Sequence, residues 1–363
     1  MKIALDASPL LLPQTGIGTF TAELASELAC NPHVELSMVA LGRSTPNTSQ
    51  VPDTGSCRII HGWLLSRRLR WLWHHFSVPR YEWVGGSTAV FHGTNYIVPP
   101  TSKTATIISV HDVGFEHQPP QCIPEAMHHK QSVRFAIRKG ATVHTDSQFV
   151  ADEVAHYYAI PTEQIVTIAP GIRLYPAGPH PVPGSPYILT LGSSDKRKDL
   201  ITAIAAFNRI ATEFSDLRFI HAGPSGDDDP RLQTAITQSP FQQRISQLGY
   251  VNQATKSALL QDAAVVVYPS RYEGFGLVPL EAMLAGTPVV TTRSSSIPEV
   301  AGDAALYAEI GDPDSLAERI TQVLSCSDLA STLKARGTEQ AKNYNWATAS
   351  HKFLKLYRDA TNN

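Results

Sequence analysis

The feature that most constrains the fold is an alternation that occurs twice. Short β-branched runs at 3–7, 34–41, 88–91, 106–110, 142–145 and 165–168 are separated by helix-compatible sequence, and a second series follows at 187–191, 217–221, 264–268 and 288–292. Strand runs alternating with helical stretches predict parallel sheets flanked by helices. Between the two series, the stretch 175–186 carries prolines at 176, 179, 181, 183 and 186 and two glycines, which supports neither helix nor strand. The reading is an α/β unit over 1–175, a linker over 176–186, a second α/β unit over 187–345 and a last helix over 346–363. Apolar residues at 346, 349, 353, 354 and 357 give that helix one packed face, expected to return to the first unit. A chain of 363 residues is long enough for two such cores, with a ligand cleft expected between them.

Composition excludes several classes. With 42% hydrophobic and 17% charged residues and a net charge of −2, nothing global points to nucleic acid. Cys30, Cys57, Cys122 and Cys326 stand far apart with no Cys-x-x-Cys pair, as suits a reducing compartment. The start, Met1-Lys2-Ile3-Ala4-Leu5-Asp6, puts an acid where a signal peptide needs apolar residues, and no apolar run approaches the length of a membrane span. A cytoplasmic location is expected.

The chemistry concentrates at 263–290, whose grammar is strand, glycine-bearing loop, helix, strand. Pro279 fits a first helical turn, where the N–H it lacks would be unpaired, so the helix is predicted to start at Leu277 or Val278. Glu273 then lies in the loop and Glu281 near the helix opening, both at the mouth of the sheet where open α/β folds bind ligands. An ionised carboxylate accepts two parallel hydrogen bonds and so matches the vicinal diol of a ribose or a hexose. Gly274 and Gly276 let the backbone approach a phosphate, and free amides at the helix start would face its charge. Two acids beside a diphosphate call for cations on a neighbouring loop. Arg197 and Lys198, in the 191–200 loop that follows the first strand of the second series, supply them.

Glu273 and Glu281, with their surroundings, resemble the Glu-x7-Glu signature of retaining glycosyltransferases of family 4. The resemblance implies a GT-B fold, two Rossmann-like doubly wound domains. It also implies that Glu273 binds donor-sugar hydroxyls, that Gly274, Phe275, Gly276 and Leu277 offer backbone to sugar and diphosphate, and that Glu281 binds the nucleotide ribose. The loop carrying Arg197 and Lys198 is similar to the family's Gly-Thr-x-x-x-Arg-Lys-Asn-Leu element, with Asp199 where the family has Asn. Gly16-Ile17-Gly18-Thr19-Phe20 resembles the family's Gly-Ile-Gly element, a loop that reaches the donor. Thr21 stands where a dinucleotide fingerprint would need its third glycine, so NAD is not implied. Val110-His111-Asp112-Val113, followed by Phe115 and Pro119, is similar to the family's His-Asp element, which implies that His111 acts at the donor sugar. The likeness is strongest from Gly249-Tyr250-Val251, assigned to the nucleotide-base region, through Asp303. His92 and Asn95, which end another strand, are read with Asp112 as the acceptor side, packing being the alternative for His92 and Asn95.

The activity so implied is transfer of a hexose from a nucleoside diphosphate sugar to a hydroxyl, with retention. GDP-mannose is the preferred donor because the Gly-Ile-Gly and His-Asp elements resemble those of bacterial mannosyltransferases of surface polysaccharide assembly. UDP- and TDP-sugars, and a catalytically silent sugar-nucleotide-binding protein, are the rival readings. No cofactor is expected beyond the donor, and the scattered histidines lack metal-ligand spacing, so no metal is expected either. Asp227-Asp228-Asp229 reads as a solvated turn. The segment 54–81 has no acid, yet holds Arg67, Arg68, Arg70, Trp63, Trp71 and Trp73, and Leu65, Leu69, Leu72 and Phe76 share one helical face. It reads either as a packed helix or as a dock for the anionic inner face of the cell membrane, where a lipid-linked saccharide acceptor would be found.

Overall fold

The computed structural model describes residues 1–11, 16–40, 58–60, 67–117, 120, 124–182, 184 and 186–362. Cys57, Trp63, Leu65, Pro119 and Cys122 lie outside them, as do the side chains of Arg67, Arg68, Leu69 and Arg70. Two compact units are formed, Met1–Gly171 together with Asn345–Asn363, and Ile172–Tyr344. The first runs β1 (Lys2–Asp6), α1 (Gly16–Ala29), β2 (Glu35–Val39), β3 (Arg58–Ile60), α2 (Arg67–Phe76), α3 (Glu82–Gly85), β4 (Val90–Gly93), β5 (Ala105–Val110), α4 (His129–Arg138), β6 (Thr142–Thr145), α5 (Gln148–Tyr158) and β7 (Ile165–Thr167). Its strands form one parallel sheet in the order β3-β2-β1-β4-β5-β6-β7.

The second unit repeats the plan. It runs β8 (Tyr187–Leu191), α6 (Leu200–Ile210), β9 (Arg218–Ala222), α7 (Asp229–Thr237), β10 (Ile245–Gln247), α8 (Gln253–Asp262), β11 (Val265–Tyr268), α9 (Leu277–Leu284), β12 (Val289–Thr292), α10 (Ile297–Ala301), β13 (Leu306–Ala308), α11 (Pro313–Ser325) and α12 (Ser327–Ala341). The sheet order is β10-β9-β8-β11-β12-β13, again parallel. In both sheets the order reverses once, between β1 and β4 and between β8 and β11, the switch points outside which open α/β sheets bind their ligands. β4, β8 and β11 are buried along their whole length, which is why they read as runs without polar alternation. The three-residue edge strands β3, β10 and β13 were not read from the sequence, whereas the equally short β7 was. The stretch expected as a linker is counted with the second unit, where the Gly178 N–H donates to the Ala254 carbonyl at 3.0 Å.

The last helix, α13 (Trp346–Asn362), completes the core of the first unit. Its Trp346, Ala349, Phe353, Leu354 and Tyr357 pack with Phe20, Leu24 and Leu28 of α1. Gly171 has to be glycine, since a Cβ there would stand 2.3 Å from the Trp346 nitrogen.

A hydrogen-bonded chain crosses this core, and one carbonyl fixes its direction. The Ile168 carbonyl can only accept, so His144 Nε2 donates to it at 3.0 Å. Burial holds His144 neutral, its pKa down at about 4 although Asp146 opposes the shift. His144 Nδ1 therefore accepts from Ser109 Oγ at 2.8 Å, and Ser109 Oγ accepts from His92 Nε2 at 2.8 Å. His92 Nδ1 in turn accepts from the Tyr357 hydroxyl at 2.8 Å. Burial drives the His92 pKa far down, the charges of His144 and His111 adding to it, and raises that of Tyr357. His92 is thus a fully buried neutral link between sheet and helix, and its expected place on an acceptor surface is corrected. Replacing Tyr357 by Phe leaves His92 Nδ1 without its donor. The expected cost is about 1–3 kcal/mol, read as a fall of several degrees in the first unit's unfolding temperature. A variant as stable as the parent would contradict the directed chain.

Candidate functional site

At the switch point of the second sheet, the chain leaves β8 through Gly192 and enters a single tight turn, Lys196–Lys198. The chain leaving β11 brings Glu273 against that turn. Glu273 Oε1 accepts from Lys198 Nζ at 2.6 Å, and Oε2 accepts from Arg197 Nη1 at 2.8 Å. Ser270 Oγ donates to the same Oε1, and Lys198 also reaches the Tyr268 hydroxyl, its ammonium 4.6 Å from the ring centroid. Burial alone would raise the Glu273 pKa. The two cations and the hydrogen bonds from Lys198 and Ser270 override it and bring the carboxyl from 4.5 to about 2. Burial lowers the Lys198 pKa with help from Arg197, while Glu273 restores part of the loss.

The backbone holds the two loops together. The Arg197 carbonyl accepts from the Arg271 N–H at 2.7 Å and from Ser270 Oγ at 3.0 Å, and Arg271 pairs with Asp199 at 2.7 Å. From the loop after β12, Ser295 Oγ accepts the Glu273 N–H at 2.7 Å. Ser296 Oγ donates to the carbonyls of Glu273 and Phe275, each at 2.9 Å. The Phe275 ring is buried against Tyr344, so what this segment can offer a ligand is main chain. Gly276 has φ +100° and caps α9, and a Cβ there would stand 2.6 Å from Ile297 Cδ1. α9 begins at Leu277, as the position of Pro279 predicts, so the leading amides of the helix lack intrahelical partners. One turn on, Glu281 Oε1 accepts from Lys256 Nζ of α8 at 2.6 Å.

The acidic run proves to be a brace, which corrects its reading as a solvated turn. Asp227 Oδ1 accepts the Lys196 N–H at 2.8 Å, Asp229 Oδ1 accepts from Ser194 Oγ at 2.8 Å, and Asp228 is buried. Gly223 lies so close to Gly192 that a Cβ would stand 1.8 Å from the Gly192 carbonyl oxygen. The Gly223 N–H donates to the Gly249 carbonyl at 2.8 Å, tying Gly249-Tyr250-Val251, with Tyr250 exposed, to the loop after β9. Lys256, Ser270, Ser295 and Ser296 were not singled out in the sequence. The serine run at 294–296, placed just after a strand, was the one signal available.

The first unit builds a second cluster at its own switch point. His111, directly after β5, is buried, with Nδ1 2.6 Å from Asp146 Oδ2 and Nε2 2.7 Å from the Thr94 carbonyl. Burial disfavours its charge, but Asp146, the Thr94 carbonyl and Asp112 together raise its pKa above 6.5. Asp112 is half-buried, its N–H donating to the Tyr96 hydroxyl at 3.0 Å and its Oδ1 accepting from the Gly114 N–H at 3.1 Å. Asn95 is half-buried beside Thr94. Thr94 Oγ1 donates to the Asp6 carbonyl at 2.7 Å, and burial lifts the Asp6 carboxyl to about 6 against two hydrogen bonds from Ser8. Gly16, Ile17 and Gly18 are the first residues of α1, so the expected glycine loop is a helix start. Phe20, two residues on, sets its ring edge-on to His111 at 5.0 Å. Asp6 and Asp146, to which the sequence reading gave no role, complete this cluster.

Residues 177–340 match the family described as Glycosyl transferases group 1. Two doubly wound parallel sheets give the chain the GT-B fold, and its second unit, with paired cations on a buried glutamate at the switch point, is a glycosyl transferases group 1 domain. It is 28% identical, over 99% of its own length and 100% of the relative's, to the O-antigen chain mannosyltransferase B of Escherichia coli. Sucrose-phosphate synthase from Thermosynechococcus elongatus shares the fold with a TM-score of 0.76 at 20% identity, over 99% of this chain and 98% of that one. HepE of Anabaena, solved with UDP and glucose, gives 0.77 at 15% identity over 99% and 100%.

The Glu273 cluster has a signature in acid. Its pKa is lower in the folded chain, near 2, than the ordinary 4.5, so the stability it contributes is complete above pH 4.5 and is lost as pH falls toward 2. A shift of this size corresponds to about 3 kcal/mol. Glu273→Gln is expected to be less stable than the parent at pH 7, with the gap narrowing below pH 4.5 in urea unfolding at stepped pH. A gap that stays constant down to pH 3 would contradict the ionised cluster.

Proposed function

We propose that the chain transfers mannose from GDP-mannose, with retention, to a hydroxyl of a saccharide or a lipid-linked saccharide. The observation that carries this reading is the buried cluster at the β8/β11 switch point, where Arg197 and Lys198 pair with Glu273 beside the start of α9. In the proposal Arg197 and Lys198 meet the diphosphate, Glu273 and the 274–277 backbone the sugar, and Glu281 the ribose. Full-length similarity to an O-antigen mannosyltransferase supports the choice of sugar and acceptor class. Arg197, Lys198 and the α9 amides would stabilise the departing diphosphate, so no divalent ion is needed. In the proposal Tyr250, which is exposed, belongs to the base-binding region. His111, in the first unit, acts on the transferred sugar rather than on the nucleotide, and Asn95 and Asp112 stand on the acceptor side.

The reading is tested by incubating the protein with labelled GDP-mannose, UDP-glucose and TDP-glucose, with and without EDTA, beside a thermal-shift screen of the nucleoside diphosphates. Transfer from GDP-mannose that survives EDTA is expected, and GDP at about 100 times its Kd adds about 2.7 kcal/mol. Hydrolysis alone, or binding without turnover, would move the protein to another class. Glu281→Ala and Lys198→Ala each remove a charge-assisted hydrogen bond of about 1.5–3 kcal/mol, so GDP should bind roughly tenfold to a hundredfold more weakly by calorimetry. Unchanged affinity in both folded variants would remove the donor site from this switch point.

The acceptor side includes a membrane contact. α2 buries Trp73 and exposes Trp71 and Phe76, and the neighbouring α3 exposes Trp83 and Val84. Exposed tryptophans suit the headgroup region, and each arginine near an anionic leaflet adds about 1 kcal/mol. No helix among the described residues is long and apolar enough to cross a membrane. Co-sedimentation with anionic vesicles, lost in high salt and in an Arg67/Arg68/Arg70→Ser variant, is the expected outcome. Equal, negligible binding to anionic and neutral vesicles would make the helix a packing element.

A further inference from the structure

His111 uses both ring nitrogens inside its own unit. The Thr94 carbonyl has no proton to give, so Nε2 is a donor, and the Asp146 carboxylate receives the proton on Nδ1. No lone pair remains for a substrate. The groups around the ring agree with a fixed positive charge. Asp146 directly follows β6, and its Oδ1 is buried without a hydrogen-bond partner, 3.9 Å from His144 Nε2. His144 is neutral with its Nε2–H committed to Ile168, and His92 on β4 is neutral as well. Asp112, the next residue, adds a second negative charge, and Tyr96 and Phe20 pack T-shaped against the ring at 5.8 and 5.0 Å, closing it in.

We infer that Asp146 is a positioning residue that holds His111 as an imidazolium whose two N–H bonds are spent within the first unit, so that His111 serves as a fixed cation and takes no proton in the reaction. What such a ring offers a substrate is its charge and its polarised C–H edges, which suit the oxygens of a sugar or of a leaving phosphate. The inference rests on the reading that His111 acts on the transferred sugar, but the protonation state of the ring is measurable without any donor.

Asp146→Asn keeps the size and an acceptor oxygen while removing the charge. Histidine-selective NMR titration, with His111 assigned by its absence in His111→Gln, is expected to find the wild-type ring protonated at both nitrogens above pH 6.5. In Asp146→Asn only the Thr94 carbonyl and Asp112 still oppose burial, and the ring should lose its proton below pH 6.5. With GDP-mannose as donor, kcat of the variant at pH 7.5 should fall tenfold or more while KM for the donor stays within twofold. Lowering the pH through 6 should recover kcat as the ring regains its proton, which a defect of packing would not do. A wild-type His111 that is neutral at pH 6, an unchanged titration in the variant, or a kcat deficit that persists in acid would each overturn the inference. Should GDP-mannose give no turnover with the wild type, the donor reading fails while the titration still decides the charge. If Asp146→Asn does not fold, the wild-type spectrum at pH 6 decides it alone.

Discussion

The group 1 unit depends on one buried carboxylate. Glu273 sits out of water among Tyr268, Ser270 and two cations, and an unpaired charge in that position would cost several kcal/mol. Its pairing with Arg197 and Lys198 draws the loops after β8 and β11 together, and the Arg197 carbonyl fastens them a second time. The Asp227–Asp229 run and the glycine contact behind it then fix the first loop from the far side. In the proposed reading, a diphosphate would find Arg197 and Lys198 already in place but would have to share them with a glutamate that holds both. Electrostatic assistance in such a site comes from groups that need no rearrangement when charge develops.

The first unit solves a different problem with the same chemical groups. Three histidines, His92, His111 and His144, stand within one sheet, and like charges there would repel. Burial keeps two of them neutral, each with one donor and one acceptor partner, whereas the carboxylate facing the third raises its pKa. Position on the strand decides which. His92 and His144 lie inside β4 and β6, whereas His111 stands just past the end of β5, where Asp146 is within reach.

The fold was legible in the sequence wherever a strand was long enough to repeat. β8, β11 and α9 were placed to within a residue because apolar runs, Pro279 and two glycines mark their ends. The Glu273 and Glu281 pair was legible because both residues lie on one continuous strand-loop-helix segment. What remained hidden was non-local. Lys256 meets Glu281 from 25 positions away, Asp146 meets His111 across 35, and Tyr357 meets His92 across 265. No period or spacing encodes such a partner. The Gly16-Ile17-Gly18 segment was misjudged for a local reason, because glycine ordinarily weakens a helix interior and here it stands at a helix start.

The return of α13 has a consequence for how the molecule is made. The group 1 unit is continuous in the chain and is complete once Tyr344 has been synthesised, whereas the first unit is interrupted and lacks part of its core until the final 19 residues, Asn345–Asn363, leave the ribosome. Until then Phe20, Leu24 and Leu28 have no helix over them, and His92 has no hydroxyl to receive. The amino-terminal half is thus the last to mature, the reverse of the usual order of folding during translation. A stop codon at Asn345 would release a finished group 1 unit tethered to a partner that cannot close its core.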